Sequence, residues 1–331
     1  MGTLMHSSNA ICPTGSKRHV FPVKSVCLAI LNYNGKKHLE QLLPTACAAA
    51  EKFPGTSTVA VLDNQSTDDD VAWIGREFPS VETIVAPKND FLFSYNWVAQ
   101  KRKEDILVFL NNDLKLNHDF LAPLIRHFAS PDVFSVSARS YDWSGTAVTS
   151  GPARLRFKNG FYSWAFDTQY QKTSHTLFTS GGFMAVDRKK FIELGGFNEL
   201  FYPAYCEDLD LCFRAWRQGW RCIYEPDSVV WHRHQATWGN HSVHGLSSLG
   251  LRNLLLMQWS TFPMHKGRWI RLKSLVKLFI GSFFSGDRVW LTTYPATVLY
   301  WLRVRRYYLW MKIRDRELSR ILARIEEATD A

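Results

Sequence analysis

Short apolar runs alternate with longer segments of helical periodicity over the first third of the chain. Each run holds five or six residues rich in Val, Ile and Leu, which is typical of strands buried on both faces of a parallel sheet. Strands that alternate with helices at this spacing indicate β-α-β units. The pattern predicts strands over residues 26–31, 58–62, 81–85 and 106–110, helices over 37–52 and 71–78, and a loop running into a helix over 89–100.

Polar residues follow these strands and therefore meet at one edge of the predicted sheet. Residues 106–110 run directly into Asn111, Asn112 and Asp113. In open α/β sheets ligands bind beyond the carboxyl ends of the strands, where this tripeptide lies. Side chains two apart project the same way and Mg²⁺ prefers oxygen ligands, so Asn111 and Asp113 could share one ion. The alternative is an ordinary turn, because Asn and Asp are common in turns.

Two later segments also carry candidate chemistry. A helix with apolar spacing begins at Glu207 and Asp208, and Gly219 is expected near its end. Acidic residues at a helix N-terminus also interact favourably with the helix dipole, which is the structural alternative to a catalytic role. A strand over residues 223–231 precedes His232, which could be a metal ligand or a packing residue.

Composition indicates a folded protein, with 46% hydrophobic and 21% charged residues. The 331 residues could form one large or two ordinary domains. Six cysteines without CxxC spacing favour the reduced thiols of a cytosolic chain over disulfides or a zinc ribbon. Residues 1–22 lack periodicity and predict a flexible leader. This leader resembles neither a signal peptide, because the following apolar run is too short, nor a myristoylation signal, because His6 replaces the required Ser or Thr.

The positive charge is concentrated near the end of the chain. Residues 266–320 contain thirteen Lys and Arg against three Asp and Glu, a surplus of ten that equals the net charge of the whole protein. The rest of the chain is therefore neutral, which disfavours a nucleic-acid-binding core and favours a basic appendage.

This basic segment also carries apolar residues at helical spacing, over 269–280 and 300–320. No apolar run reaches the roughly 18–20 residues that a membrane-spanning helix needs. Basic amphipathic helices lie in the membrane interface and are attracted to anionic lipid. The pattern predicts peripheral attachment of residues 263–320 to an anionic surface on the inner face of the cell membrane. The alternative is that these helices pack on the catalytic body or form an oligomer contact.

Six short motifs give the chain a family resemblance. They are LNYNG at 31–35, LDNQSTD at 62–68, LNND at 110–113, SGGF at 180–183, GGFN at 195–198 and EDLDLC at 207–212. In this order they resemble the family 2 glycosyltransferases, and within them the rhamnosyltransferase-like branch of bacterial surface-polysaccharide enzymes. The resemblance extends from about residue 24 to residue 260. It implies a GT-A fold, which is a Rossmann-like, mostly parallel sheet with helices on both faces, here followed by a C-terminal helical tail.

The resemblance also implies an NDP-sugar donor, Mg²⁺ or Mn²⁺, and inversion at the anomeric carbon. Asn32 and Tyr33 would line the donor nucleotide, and Asp63 would hydrogen-bond its pyrimidine. Asp113 occupies the last position of the family's DxD motif, and His232 would complete the metal site. Further donor-binding positions are Asn89, Asn111, Asn112, Gly181 and Gly182, although the glycine pair could also form a plain turn.

Asp208 falls on the position of the family's catalytic base, with Glu207 as second candidate and Asp210 as a structural residue. Two features depart from the family pattern. Asn111 is neutral where the DxD motif begins with an acid, and residues 89–96 are aromatic where a Gly-rich stretch is usual. Phe91, Phe93 and Tyr95 of that stretch would stand where the backbone otherwise approaches the donor.

The predicted organisation is a leader at 1–22, a nucleotide-sugar-binding half at 23–113, an acceptor and catalytic half at 114–262, and a basic helical tail at 263–331. Within the acceptor half we expect a helix near residues 120–128, and then strands and loops that face the acceptor.

The predicted function is transfer of a sugar from a dTDP- or UDP-linked donor to a hydroxyl of a glycan or lipid-linked glycan in surface-polysaccharide synthesis. One alternative is a sugar nucleotidyltransferase. That class would require a Gly-rich, basic phosphate-binding loop after the first strand, where this chain has Asn-Tyr-Asn-Gly at residues 32–35. Another is a non-catalytic scaffold of the same fold. A zinc site at His234, His241 and His244 is a further alternative, although Cys partners at zinc-finger spacing are lacking.

Overall fold

The computed structural model describes residues 24–233, 247–263, 265, 267–286 and 288–326. Its strands are β1 (Val26–Asn32), β2 (Ser57–Asp63), β3 (Glu82–Val85), β4 (Ile106–Asn111), β5 (Leu114–Leu116), β6 (Val133–Asp142), β7 (Ala153–Lys158), β8 (Phe161–Phe166), β9 (Ser174–His175), β10 (Phe183–Asp187) and β11 (Arg221–His232). Its helices are α1 (Lys36–Lys52), α2 (Asp70–Glu77), α3 (Ser94–Lys101), α4 (Leu121–Ile125), α5 (Arg188–Glu193), α6 (Glu207–Arg217), α7 (Ser248–Ser260), α8 (Arg268–Ser285), α9 (Arg288–Val304) and α10 (Asp315–Glu326). Short 3-10 helices cover Phe91–Phe93, Arg126–Ala129, Glu199–Phe201 and Arg305–Met311.

One large sheet organises the molecule, with strand order β3-β2-β1-β4-β10-β6-β11-β5 and β9 beside β11. The strands β1 to β4 are mutually parallel, β10 is antiparallel to both of its neighbours, and β6 and β11 are parallel to each other. The mostly parallel sheet predicted from the apolar runs is therefore confirmed. The carboxyl ends of β1, β2 and β4 lie along one edge.

The core lies on both faces of this sheet. Successive residues of β1 enter opposite hydrophobic clusters, with Leu28 and Ile30 in one and Cys27 and Ala29 in the other. Because neighbouring strand residues point to opposite faces, a central strand covered on both sides must be apolar throughout. This explains why β1 and β4 read as continuous apolar runs and not as alternating ones.

Helix α7 fastens a separate two-stranded hairpin, β7–β8, to the body. The side chain of Gln258, which is fully buried, accepts a hydrogen bond from Tyr162 N at 2.9 Å and donates one to Tyr162 O at 2.8 Å. A single amide thus satisfies both backbone groups of one β8 residue. The hairpin is therefore held at a fixed position relative to α7.

The basic tail packs against the body in two ways. Helices α8 and α9 lie on α7, where Leu251, Leu255 and Trp290 form a small cluster. Helix α10 returns to the main core, in which Leu318 and Ile321 are buried together with residues of α6. The predicted domain boundary at residue 262 separates two parts of the sequence, but residues from both sides of it are buried in the same hydrophobic core.

The tail differs from the pattern expected over residues 300–320. The end of α9, a 3-10 helix and α10 share this stretch, with extended chain between the last two. Met311 and Ile313 are buried there, and Ile313 N donates to Thr261 O at 3.0 Å. Burial of these two side chains and this backbone bond hold the chain in extended form, which apolar spacing alone did not reveal. Among the described residues, no helix is long and apolar enough to cross a membrane.

Candidate active site

A cleft of about 810 Å³ opens at the edge of the sheet where β1 and β4 end. Loops that follow β2 and β3, strand β8, and loops that precede β10 and α6 form its other sides, so seven separate segments of chain contribute to it. The predicted site residues that line it are Asn32, Tyr33, Asn89, Asn111, Asn112, Asp113, Gly181, Gly182, Glu207 and Asp208. The structure therefore brings together residues that lie up to 176 positions apart, from 32 to 208.

The floor of the cleft is a hydrogen-bonded chain of polar side chains. Asn112 Nδ2 donates to Asn32 Oδ1 at 2.8 Å, and Asn32 Nδ2 donates to Asp70 Oδ2 at 2.7 Å. The same carboxylate oxygen accepts from Gly35 N at 2.8 Å. A Cβ on Gly35 would lie 2.1 Å from Asn112 Nδ2, so only glycine fits there. The network ties the ends of β1 and β4 to the start of α2.

Asp70 was not predicted as a site residue. It is fully buried at the start of α2, where the sequence has three consecutive aspartates, Asp68 to Asp70. Aspartates at a helix start are common, because acidic residues interact favourably with the helix dipole. Only the hydrogen bond to Asn32 distinguishes Asp70 from the two aspartates before it.

Asp113 and His232 form the candidate metal site. The register of β5 against β11 pairs Leu114 with His232, which brings His232 Nε2 to 3.3 Å from Asp113 Oδ1. The side chains of Asp113 and His232 are 11% and 15% exposed, respectively. Asp113 lines the cleft, whereas His232 lies behind it and is absent from the lining.

The donor set of this pair fits a divalent cation. Asp113 Oδ1 is buried, yet it accepts no hydrogen bond from the residues that the structure describes. Those residues contain no group of three His, Cys, Asp or Glu that could hold a metal. A site with one carboxylate and one imidazole suits Mg²⁺ or Mn²⁺ that takes its remaining ligands from phosphate oxygens and water.

Asn111 lies beside Gly182. Asn111 N donates to Gly182 O at 2.8 Å, and a Cβ on Gly182 would lie 2.7 Å from Asn111 Nδ2. Gly182 therefore has no room for a side chain as long as Asn111 keeps this position. The close backbone approach expected for the glycine pair is thus observed at Gly182, whereas a Cβ on Gly181 would make only ordinary contacts.

Glu207 and Asp208 begin α6 in different environments. Asp208 Oδ2 accepts from Gly181 N at 3.2 Å and Oδ1 accepts from Leu209 N at 2.8 Å, while the residue remains partly exposed to the cleft. Burial raises the pKa of Asp208 to about 6, and these backbone hydrogen bonds oppose the rise.

Glu207 is more deeply buried, and its Oε2 accepts no hydrogen bond within the described part of the chain. Burial, followed by the charge of Asp208, raises the pKa of Glu207 well above its usual value. Of the two carboxyl groups, Glu207 therefore holds its proton more strongly, and Asp208 ionises more readily. Asp208 is thus the better suited of the two to accept a proton.

Asp210 has the structural role expected for it. Its carboxylate lies 2.8 Å from Arg214 Nη2, one turn later on α6, and both side chains are buried. Arg214 also donates to Gly196 O at 2.7 Å, so the pair anchors α6 to the GGFN segment. Asp210 is absent from the cleft lining.

The turn that enters α6 is held in an unusual backbone conformation. Tyr205 and Cys206 have φ values of 74° and 69°, in the left-handed region that side chains rarely adopt. Asn253 of α7 is fully buried and its Nδ2 contacts three carbonyl oxygens of this turn, those of Phe201 at 2.7 Å, Ala204 at 2.6 Å and Tyr205 at 3.1 Å. Asn253 thus positions the turn that carries Glu207 and Asp208, a role with no signal in the local sequence.

The aromatic stretch after β3 obstructs the cleft less than predicted. The prediction is wrong for Phe93 and Tyr95, which are buried in the core and absent from the cleft lining. Tyr95 Oη lies 2.9 Å from Leu110 O and 3.1 Å from Ala29 O, where it links β4 and β1. Because the stretch is helical and not extended, its aromatic residues point in different directions. Phe91 alone of the three lines the cleft.

Asp63 lies outside the cleft lining, and its carboxylate accepts from Ser66 N at 3.0 Å. Its contact with a donor base therefore stays a prediction. The next residue, Asn64, lines the cleft and donates from Nδ2 to Phe91 O at 3.0 Å. The predicted alternative zinc ligands His234, His241 and His244 lie outside the described residues.

An aromatic wall faces the polar floor of the cleft. Trp164 and Phe166 of β8 both pack on Phe178, with ring centroids 5.8 Å and 5.5 Å away. All three line the cleft. Such a wall offers apolar contact to a bound ligand, opposite the charged groups.

Comparison with known proteins identifies the family. A family model described as "Glycosyltransferase like family 2" matches residues 22–242. The chain belongs to this family. The glycosyltransferase resembles a probable N-acetylgalactosaminyltransferase 9 of Caenorhabditis elegans, with 26% identity over 51% of this chain and 33% of the relative. It also resembles the rhamnosyltransferase WbbL of Escherichia coli, with 31% identity over 37% of this chain and 50% of the relative.

The solved structures confirm the GT-A fold. The glycosyltransferase matches a mannosyltransferase of Pyrobaculum calidifontis, crystallised with GDP-mannose and Mn²⁺, with a TM-score of 0.55 and 16% identity over 86% of this chain and 83% of that one. At this identity the likeness concerns the fold alone. The chain spans between about a third and a half of the length of the two curated relatives.

Proposed function

We propose that this protein is an inverting glycosyltransferase that moves a sugar from a nucleoside diphosphate to a hydroxyl group. The observation that carries the proposal is the placement of a partly exposed carboxylate, Asp208, in the same cleft as Asp113 of the Asp113–His232 pair. One group suits proton removal and the pair suits a metal-bound diphosphate. An inverting transfer needs both, because nucleophile and leaving group occupy opposite sides of the anomeric carbon.

In the proposed reaction Asp208 accepts the proton of the acceptor hydroxyl as its oxygen bonds to the anomeric carbon. The bond from that carbon to the diphosphate breaks in the same step, and the proton remains on Asp208. A positioned general base typically contributes about 10²–10⁴-fold to the rate. Burial favours the protonated form of Glu207, which would limit the negative charge beside the base. Asp113 and His232 would hold a divalent cation, which would neutralise charge on the leaving diphosphate.

The donor we propose is dTDP- or UDP-linked, and the acceptor is a glycan or lipid-linked glycan in surface-polysaccharide synthesis. The name of the Escherichia coli relative supports a role of this class, and the motifs of the sequence support it independently. We place the enzyme at the inner face of the cell membrane, where a lipid-linked acceptor would be held. The Asn32–Asp70 network and exposed Tyr33 would contact the donor nucleotide.

Calorimetry of UDP, dTDP and GDP with and without Mn²⁺ tests this proposal directly. We expect one nucleotide to bind clearly more tightly than the others, and to need the metal. Asp113→Ala should weaken metal-dependent binding more than His232→Ala, because Asp113 is the only anionic member of the pair. Equal nucleotide affinity with and without metal in the unaltered protein would contradict the metal-dependent mechanism.

An assay of donor turnover then separates the enzyme classes. A sugar transferase releases nucleoside diphosphate from the donor, whereas a nucleotidyltransferase would turn over the donor only with added pyrophosphate, giving nucleoside triphosphate and sugar 1-phosphate. A scaffold would bind nucleotide without turnover.

A further inference from the structure

Helix α8 presents an apolar stripe to solvent. Its members recur every three or four residues and are 51% to 71% exposed; they are Trp269, Leu272, Val276, Ile280 and Phe283. Lys273 and Lys277 flank the stripe and are also exposed. We call these seven residues the α8 outer face. Single exposed apolar side chains are common, but a continuous row of large ones indicates a binding surface.

The opposite face of α8 is already occupied by the body of the protein. Leu275 and Leu278 pack against the cluster on α7 and α9, and the Phe279 ring lies 5.4 Å from that of Tyr294. These inner-face residues supply the apolar contacts that hold α8 against the body of the protein. The packing predicted as the alternative is therefore observed on the inner face, and the α8 outer face takes no part in it.

The charge on this surface is of one sign. The sequence of α8 contains four Lys and Arg and no Asp or Glu, and α9 with the following 3-10 helix continues the pattern. Two copies that met through the α8 outer face would bring lysines against lysines, so self-association is disfavoured. An anionic surface would complement the lysines and receive the apolar stripe at the same time.

We propose that the α8 outer face docks onto a membrane surface that contains anionic lipid. The helix is about 27 Å long at the normal rise per residue, and it would lie in the plane of the interface with its stripe among the acyl chains. Trp269 and Phe283 stand at its two ends, and Lys273 and Lys277 would reach the headgroups. The proposal specifies the surface and lipid class behind the membrane location proposed above.

Docking through α8 would also fix the orientation of the cleft. The inner face of α8 packs on the cluster formed by Trp290 of α9 with Leu251 and Leu255 of α7. Helix α7 also carries Asn253, which holds the turn before Glu207 and Asp208. A membrane-bound α8 is therefore connected to the catalytic turn through this cluster and α7. This arrangement would hold the cleft at a constant distance from the headgroups.

Sedimentation of the full chain with lipid vesicles tests the proposal without any transfer reaction, so its failure would leave the proposed reaction untouched. Vesicles of phosphatidylcholine with and without phosphatidylglycerol are the two probes. We expect the protein to pellet with the anionic vesicles, less so at high salt, and to remain in solution with phosphatidylcholine alone. A chain that stayed in solution with anionic vesicles even at low salt would overturn the proposal.

Two variants separate the electrostatic and the apolar contributions of the α8 outer face to vesicle binding. The double variant Lys273→Glu, Lys277→Glu should lower binding to anionic vesicles about tenfold or more, since each basic residue near such a surface contributes about 1 kcal/mol. The variant Val276→Ser, Ile280→Ser should also lower binding to anionic vesicles, although its net charge is unchanged. Thermal unfolding should be nearly unchanged in both, because all four side chains are exposed.

The matched control is Lys103→Glu, Lys189→Glu, which makes the same change in net charge at exposed positions away from the tail. It should bind vesicles nearly as well as the unaltered protein. If the control lost as much binding as Lys273→Glu, Lys277→Glu, net charge and not the α8 outer face would govern the interaction. Self-association of the protein that the Val276→Ser, Ile280→Ser variant abolished would instead assign the face to a second copy.

Discussion

Two adjacent carboxylates at the start of α6 have different chemistry because their surroundings differ. Asp208 reaches the cleft and accepts two backbone hydrogen bonds, while Glu207 is buried with one oxygen that accepts none from the described residues. The sequence offers both as candidates at the same helix start. Only burial and hydrogen bonding show that Asp208 ionises more readily than Glu207.

Replacing Asp208 by Asn should abolish transfer and leave nucleotide affinity nearly unchanged. The amide keeps the shape of the side chain but cannot accept the proton, so the loss should fall on kcat by about 10²–10⁴-fold. Steady-state kinetics and calorimetry measure the two quantities. Glu207→Gln is the matched control and should retain most activity, because burial favours the neutral form of Glu207 and glutamine has the same shape as that form. A variant Asp208→Asn that kept more than about a tenth of the activity would assign the base elsewhere.

The rate should also depend on pH through Asp208. The base acts as the carboxylate, so the fraction of active enzyme falls as pH drops through its pKa of about 6. We expect kcat/KM to fall about tenfold for each pH unit below that value and to level off above it. A pH–rate profile of the unaltered enzyme, compared with that of Glu207→Gln, measures this. A flat profile across the acidic range would contradict the assignment.

The residues that sequence analysis missed are those whose role depends on distant contacts. Asp113 follows a predictable strand and Asp208 begins a predictable helix, so their positions could be inferred. Asn253 lies in the middle of a helix with no motif around it, and its function depends on carbonyl groups of residues about 50 positions earlier. No local pattern encodes such a contact.

At the scale of elements, α7 links the parts of the site. It holds the turn before α6 through Asn253 and the β7–β8 hairpin through Gln258. These two side chains are fully buried amides on one helix, five residues apart. Strands and helices with strong apolar patterns were predicted correctly, whereas this linking function follows from side-chain contacts alone.

Replacing Asn253 by Leu should lower kcat and leave donor affinity nearly unchanged. The change leaves three carbonyl oxygens without their amide donor and releases the left-handed turn that presents Asp208. Each buried polar group left unsatisfied costs about 1–3 kcal/mol, so stability should also fall. Kinetics, calorimetry and urea unfolding measure the three effects.

Gln258→Leu is the matched control, because it removes an equally buried amide from the same helix. It should lower stability and weaken acceptor binding through the hairpin, with a smaller effect on kcat. If the two variants changed kcat equally, Asn253 would have only a structural role.

At the scale of the whole molecule, the last helix of the tail, α10, is part of the main core. Leu318, Ile321 and Ile325 of α10 are buried with residues of α6. Arg324 Nη2 donates to Gly219 O at 2.8 Å, and Arg217 forms an ion pair with Glu317 at 2.7 Å. The charge surplus predicted a basic appendage, but it did not reveal that α10 packs against α6. An amphipathic helix has the same apolar spacing whether it packs on the core, on another copy or on a membrane, so the sequence pattern alone does not identify its partner.

Ile321→Ala should destabilise the whole protein by about 2–4 kcal/mol, the usual effect of removing a buried Ile side chain. Urea unfolding monitored by circular dichroism measures this change. Ser319→Ala, at an exposed position of the same helix, is the control and should have little effect. If both variants unfolded at the same urea concentration, α10 would contribute nothing to the stability of the core.

The return of α10 has a consequence for the order in which the chain is made. The helix that carries Glu207 and Asp208 ends at Arg217, but its packing partners Leu318, Ile321 and Ile325 are translated about 100 residues later. At a synthesis rate of about 5–20 residues per second, the catalytic helix waits roughly 5–20 s on the ribosome before that side of its core can close. During this interval the nascent chain exposes apolar surface at the end of α6 opposite Glu207 and Asp208, so chaperone binding should concentrate there.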